Sequence, residues 1–214
     1  MKILHITSSA RGADSVSYQL SQRVVERLLA RHPAAQVVAR DLWAEPLPHV
    51  DGQYASALGR ASGGAPQARG LPSLAWSDLL IDELRQADCI VIGTPMHNFT
   101  VPSVLKAWID HVVRIGVTFN ATPDGKVGTL ADRPVYVAVS SGGHRNGERA
   151  RQLDFLVPYL RAIFGTMGLK NLTFFSLQPT AAGPDATTAA YVAVEQQLSG
   201  CFAQIRRTTT QPIE

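Results

Sequence analysis

One stretch of this chain sets a thioether, an imidazole, an amide and a phenyl ring side by side: Met96-His97-Asn98-Phe99. It follows the apolar run Cys89-Ile90-Val91-Ile92-Gly93, and Pro102-Ser103 just beyond it can open a helix. A loop of that mixed chemistry can pack a flat, partly polar ring. A second loop, Ser140-Ser141-Gly142-Gly143, follows another apolar run, and its glycines let backbone approach a ligand closely. A third loop carries Ser8, Ser9 and Arg11 and reaches Ser15-Val16-Ser17 at the start of a helical pattern. Helix N-termini offer unpaired N–H groups and partial positive charge, which suits a phosphate. There is no G-x-G-x-x-G after the first strand and no G-x-x-x-x-G-K-[ST] anywhere, so a mononucleotide phosphate fits better than a tightly held dinucleotide.

Each residue also has a plainer role. Ser15 or Ser17 can simply cap a helix. Met96 and Phe99 can be core, Asn98 a turn residue, and His97 and His144 surface histidines. Gly142-Gly143 can be only a turn, and His5, inside a strand, reads as a satisfied structural residue. A serine hydrolase built on Ser140 or Ser141 lacks the G-x-S-x-G elbow. Arg145, Arg149, Arg151 and Arg161 read as a solvated helix face, with attraction of an anionic substrate as the functional alternative. Arg11, Arg60 and Arg69 are candidates for nucleotide contact.

These loops need elements to hold them. The periodicity predicts strands over 2–7, 36–40, 88–94, 134–140 and 172–177. Helices are expected from Ser15 or Ser17 to about 31, then over 79–85, 102–113, 153–167 (with Gly168 as C-cap) and 187–206. Strand–helix alternation of this kind means a parallel sheet covered on both faces, here with the expected order 2-1-3-4-5. Ligands of such sheets bind outside the carboxyl ends of the strands, where all three loops fall. Residues 43–74 and 115–132 interrupt the rhythm and read as long loops, the second with turns between short extended pieces. Residues 61–70 come nearest to a disordered composition.

The chain has 214 residues, 45% of them hydrophobic and 17% charged, which fits one globular domain over 1–214. Its net charge of +3 is spread out, with no aromatic-interleaved basic surface for nucleic acid. No apolar run approaches the roughly 20 residues of a membrane span. The first residues read as a strand and not a signal peptide, so a cytoplasmic protein is expected. Cys89 and Cys201 match no metal or redox spacing, and no metal is expected.

Taken in order and spacing, Ser8-Ser9, Ser15-Val16-Ser17, Arg40-Asp41-Leu42, Pro95-Met96-His97-Asn98-Phe99 and Leu105-Lys106 resemble the FMN-dependent NADH azoreductases, a quinone-reducing family. Gly116-Val117-Thr118-Phe119, Ser140-Ser141-Gly142-Gly143 and Pro158-Tyr159-Leu160 continue the resemblance over nearly the whole chain. It implies a flavodoxin-like three-layer α/β sandwich and FMN held without a covalent bond. The phosphate would meet Ser9, Ser15, Val16 and Ser17. The ring would lie against Met96, His97, Asn98 and Phe99, with Ser140, Ser141, Gly142 and Gly143 at its pyrimidine side. The resemblance further implies a homodimer, NADH or NADPH as donor, quinones and azo compounds as acceptors, and chemistry carried by the flavin with no obligate catalytic side chain. Phe119 and Ile163-Phe164 would border the substrate space. The family more often has Tyr where His97 stands and Arg where Ser141 stands, which bears on potential and substrate range. A flavodoxin-type electron carrier and an NADPH-dependent FMN reductase are the alternatives on the same fold.

Overall fold

A computed structural model describes residues 1–61, 71–145 and 147–208. In chain order the elements are β1 (Lys2–Thr7), α1 (Val16–Arg31), β2 (Gln36–Asp41), α2 (Gly52–Ala61), α3 (Ala75–Gln86), β3 (Cys89–Pro95) and α4 (Ser103–Val112). They continue with β4 (Phe119–Thr122), β5 (Gly125–Gly128), β6 (Val135–Ser140), α5 (Leu156–Met167), β7 (Leu172–Leu177) and α6 (Pro184–Thr208). Five strands form a parallel sheet in the order β2-β1-β3-β6-β7. The expected order counted sheet strands alone; β4 and β5 intervene in the chain as a separate antiparallel hairpin and shift the numbers.

The alternation of side chains along each strand sorts the helices into two layers. Leu4, Ile6, Ile90, Ile92, Val135 and Val137 face α3, α4 and α5, whose Leu80, Leu84, Leu105, Trp108, Leu160 and Phe164 complete that core. Ile3, Val91, Ala138 and Phe175 point the other way and meet Leu20, Val24 and Leu28 of α1 with Val194, Leu198 and Phe202 of α6. Burying each such side chain contributes about 1.5–3 kcal/mol, so both layers hold the sheet firmly.

Close backbone approaches fix two places. A Cβ at Gly93 of β3 would stand 2.5 Å from Ser21 Oγ and 2.9 Å from Ser17 O, so only glycine lets α1 lie this near the sheet. A Cβ at Gly128 would run into the backbone of Met167 and Gly168, where Leu130 N also donates to Met167 O. Gly168 ends α5 with φ +103, as a C-cap glycine does.

Of the two stretches read as long loops, the first holds a helix that was not expected, and the second holds the short extended pieces that were. Within 43–74 lies α2, which starts where Asp51 Oδ1 accepts the Tyr54 N–H at 2.8 Å and buries Tyr54 and Ala57. Residues 62–70, Arg69 among them, lie outside the described residues. Within 115–132 lie β4 and β5. The helix expected from 153 begins at Leu156, because Asp154 Oδ1 accepts from Leu156 N at 2.9 Å and Val157 N at 3.0 Å and so stops the chain from winding earlier.

Candidate functional site

Three sheet strands end together. Strand register pairs Thr7 with Gly93 and Pro95 with Ser140, and the pairing continues as Ser8 N to Gly93 O at 3.1 Å and Met96 N to Ser140 O at 2.8 Å. The loops singled out by sequence therefore sit side by side at the carboxyl edge of the sheet.

At the β1 end the hydroxyls are buried. Ser9, Ser15 and Ser17 are 7%, 3% and 0% exposed, while Arg11 beside them is exposed. Ser15 stands at the N-cap of α1, yet its side chain makes no capping bond. Its hydroxyl pairs with Ser17 Oγ at 2.9 Å instead. Ser15 thus holds the N-cap position expected of it without supplying the capping bond. The first amides of a helix have no partner within it, so those at Val16 and Ser17 remain available to an anion at this end. Below them, His5 Nε2 meets Ser21 Oγ at 2.9 Å. Burial pushes the His5 pKa down from 6.5 to about 4, and Asp41 offsets this only in part.

The β3 end is a tight reversal. His97 N donates to Thr100 O and Thr100 N to His97 O, both at 2.9 Å. Between them Asn98 and Phe99 have φ of +47 and +71. Positive φ at both central residues is the pattern of a type I′ turn. Asn tolerates this backbone, but for Phe it carries strain of about 1–2 kcal/mol. The turn leaves the amides of Asn98 and Phe99 out of its closing bonds. Met96 is buried beneath it, whereas the Phe99 side chain is 44% exposed.

At the β6 end, Ser140 and Ser141 are buried and Gly142 is exposed. Ser141 Oγ donates to Gly143 O at 2.8 Å, and Ser141 O accepts from Thr180 N at 3.0 Å. A Cβ on Gly142 would meet only Ala181 Cβ, at 3.5 Å. Arg145, read as part of a solvated helix face, is corrected outright. It lies in the loop before α5, 5% exposed, ion-paired with Asp154 and bonded to Ser176 Oγ of β7. Arg149 and Arg151 are exposed loop residues, and Arg161 on α5 lies over the Phe174 ring. Phe164 is likewise corrected as a substrate neighbour: it is fully buried against Trp108 in the sheet core.

Comparisons with known proteins bear on the fold and the family. A family model described as flavodoxin-like fold matches residues 1–200. FMN-dependent NADH:quinone oxidoreductase 4 of Pseudomonas fluorescens is 48% identical over 187 residues, covering 87% of this chain and 88% of its own. FMN-dependent NADH:quinone oxidoreductase 5 of Burkholderia lata is 44% identical over 207 residues, covering 97% of each. The chain belongs to the FMN-dependent NADH:quinone oxidoreductase family. Among solved structures, the FMN-dependent NADH-azoreductase from Bacillus anthracis in complex with FMN superposes with a TM-score of 0.75 at 25% identity, over 94% of this chain and all of that one.

In this member of the oxidoreductase family, sequence reasoning missed the supports behind the loops that follow β3 and β6. Gln152 and Asp154 carry no motif, and what marks them is contact across loops. Cys89 is buried, and burial raises its thiol pKa to about 12, so it is a core residue and no nucleophile.

Proposed function

We propose that this chain is an FMN-dependent oxidoreductase that uses NADH or NADPH to reduce quinones and azo compounds. One observation carries the reading furthest: Ser15 turns its hydroxyl to Ser17 and leaves the start of α1 open beside a strand end lined with buried serines. That donor set fits a phosphate dianion, and the glycine pair and mixed turn next to it fit a flat ring. Ser9, Ser15, Val16 and Ser17 hold the phosphate. Met96, His97, Asn98 and Phe99 form one wall for the ring, and Ser140, Ser141, Gly142 and Gly143 form the other.

FMN, when bound, would supply the redox chemistry of a ping-pong hydride transfer through its N5 between the nicotinamide donor and the acceptor. The chain's own part is to bind, orient and polarise. The N-terminus of α1 neutralises phosphate charge. The type I′ turn presents the amides of Asn98 and Phe99 to the ring edge. Gly142-Gly143 brings backbone dipoles close, because no Cβ intervenes. Ser141 Oγ already donates to Gly143 O, so it braces this wall and does not bond the ring with the same proton.

The same reading includes one domain over 1–214, a homodimer and a cytoplasmic location. Support for the dimer is an apolar patch beside the site: Phe99, Leu153 and Phe155 are 44%, 63% and 56% exposed, and Phe155 N donates to Phe99 O at 3.0 Å. Two free thiols are consistent with a reducing compartment. Among the described residues no helix is long and apolar enough to cross a membrane.

The deciding experiment is the visible spectrum of the purified protein with FMN, followed by anaerobic NADH and then a quinone. Yellow colour that bleaches with NADH and returns with quinone is the expected result. Bleaching by dithionite alone would identify an electron carrier. A protein that takes up no FMN would overturn the reading.

A further inference from the structure

Residues 147–155, with His144 and Arg145 before them, lie between β6 and α5 as a strap fixed at its base by the Arg145–Asp154 ion pair and the Arg145 bond to Ser176. Its far side folds back on itself, with Arg151 N and Gln152 N both donating to His144 O, at 3.0 and 3.1 Å. From there Gln152 reaches sideways. Its Nε2 donates to Met96 Sδ at 3.3 Å, across to the loop that follows β3. Its Oε1 lies where a Cβ on Gly143 would stand only 2.9 Å away. One half-buried amide therefore touches both walls of the candidate site at once.

We infer that Gln152 is a positioning residue that couples the 96–99 turn to the Gly142-Gly143 loop, so that the two walls are set as a unit. The inference rests on the flavin reading of the site. Met96 has three rotatable bonds and a soft acceptor sulfur, so by itself it fixes little. A donor from a braced strap holds the thioether in one place. The same contact gives Gly143 a reason to be glycine: a methyl there displaces the Gln152 amide and releases Met96. The Phe155 N to Phe99 O bond at 3.0 Å ties strap and turn at a second point, so loss of Gln152 loosens the ring wall without detaching it.

The test is a double-mutant cycle with Gln152→Leu, Met96→Leu and the pair, titrating each apoprotein with FMN and with riboflavin by flavin fluorescence. Each single variant is expected to weaken FMN about five-fold, the scale of one hydrogen bond, and riboflavin by the same factor, because the effect lies at the ring. The pair is expected to lose little more than either single, which is the signature of a shared contact. Gly143→Ala should match Gln152→Leu. The midpoint potential should shift in all variants, a readout that a purely structural defect leaves unmoved. Without flavin, trypsin should cut after Arg149 and Arg151 faster in the Gln152→Leu apoprotein than in wild type. Wild-type protein that binds no flavin removes the site reading and this inference with it. Wild type that binds flavin, with variants whose effects simply add or stay under about two-fold, leaves the site standing and overturns the inference.

Discussion

The two ends of the candidate site are built differently. The phosphate end is made of buried hydroxyls on a strand end and a helix start, pressed together by the contact of Gly93 with Ser17 and Ser21. The ring end is made of loops that hold one another: the turn against Ser140, Gln152 against Met96, and Ser141 against Thr180. One end takes its rigidity from the core and the other from a lattice of loop bonds. Core damage should therefore strike affinity for phosphate and fold together. Damage to the loops should alter the ring and spare the fold.

The sharpest way to break that contrast is Gly93→Val. It forces α1 off β3, and overpacking of this kind costs about 1–3 kcal/mol, here at the upper end because the added atoms meet backbone as well as side chain. A urea midpoint well below wild type, with FMN binding lost, is expected; an unchanged midpoint would show that α1 is not seated by this contact.

Next in size is a pH effect centred on His5. Its folded pKa of about 4 lies below the ordinary 6.5. The unfolded chain therefore binds more protons between those values. Stability is complete above pH 6.5 and falls as pH drops toward 4, by about 3 kcal/mol in all. Gln in place of His5 should flatten that slope in denaturation measured from pH 7 to 4, and an unchanged slope would assign it elsewhere.

Ser15→Ala with Ser17→Ala probes the same end without touching the core. Charge-assisted bonds of about 1.5–3 kcal/mol predict a 10- to 100-fold loss of FMN affinity. Riboflavin affinity should not change, and equal losses for both flavins would place the phosphate elsewhere. The smallest effect has the opposite sign. Phe99→Gly relieves the positive φ and should raise apoprotein stability by about 1 kcal/mol while weakening flavin binding. If stability falls instead, the turn is held by the phenyl ring and not strained by it.

Sequence alone exposed most of the fold, because the buried strands are near-continuous apolar runs and the helices between them keep a clear period. It missed α2, whose apolar face is only Tyr54, Ala57 and their neighbours, set among glycine and alanine; Asp51 was the available signal. It misread Arg145 because an arginine pattern is the same whether the side chain meets water or a buried aspartate. The loops that make the site were legible, since their residue types are unusual after a strand. Their bracing was not: Gln152 to Met96 spans 56 positions and obeys no local period.

The contact of Gly128 with the end of α5 bears on how the molecule can be rebuilt. The base of the β4–β5 hairpin is a backbone-on-backbone joint with no room for any side chain, so it tolerates no drift at Gly128. Its tip, at Pro123 and Asp124, is exposed, and the glycine after it meets nothing. A fluorophore, an affinity handle or a tethering peptide belongs at that tip, where exposed turns accept insertions. There it rides on a stalk anchored to the helix end.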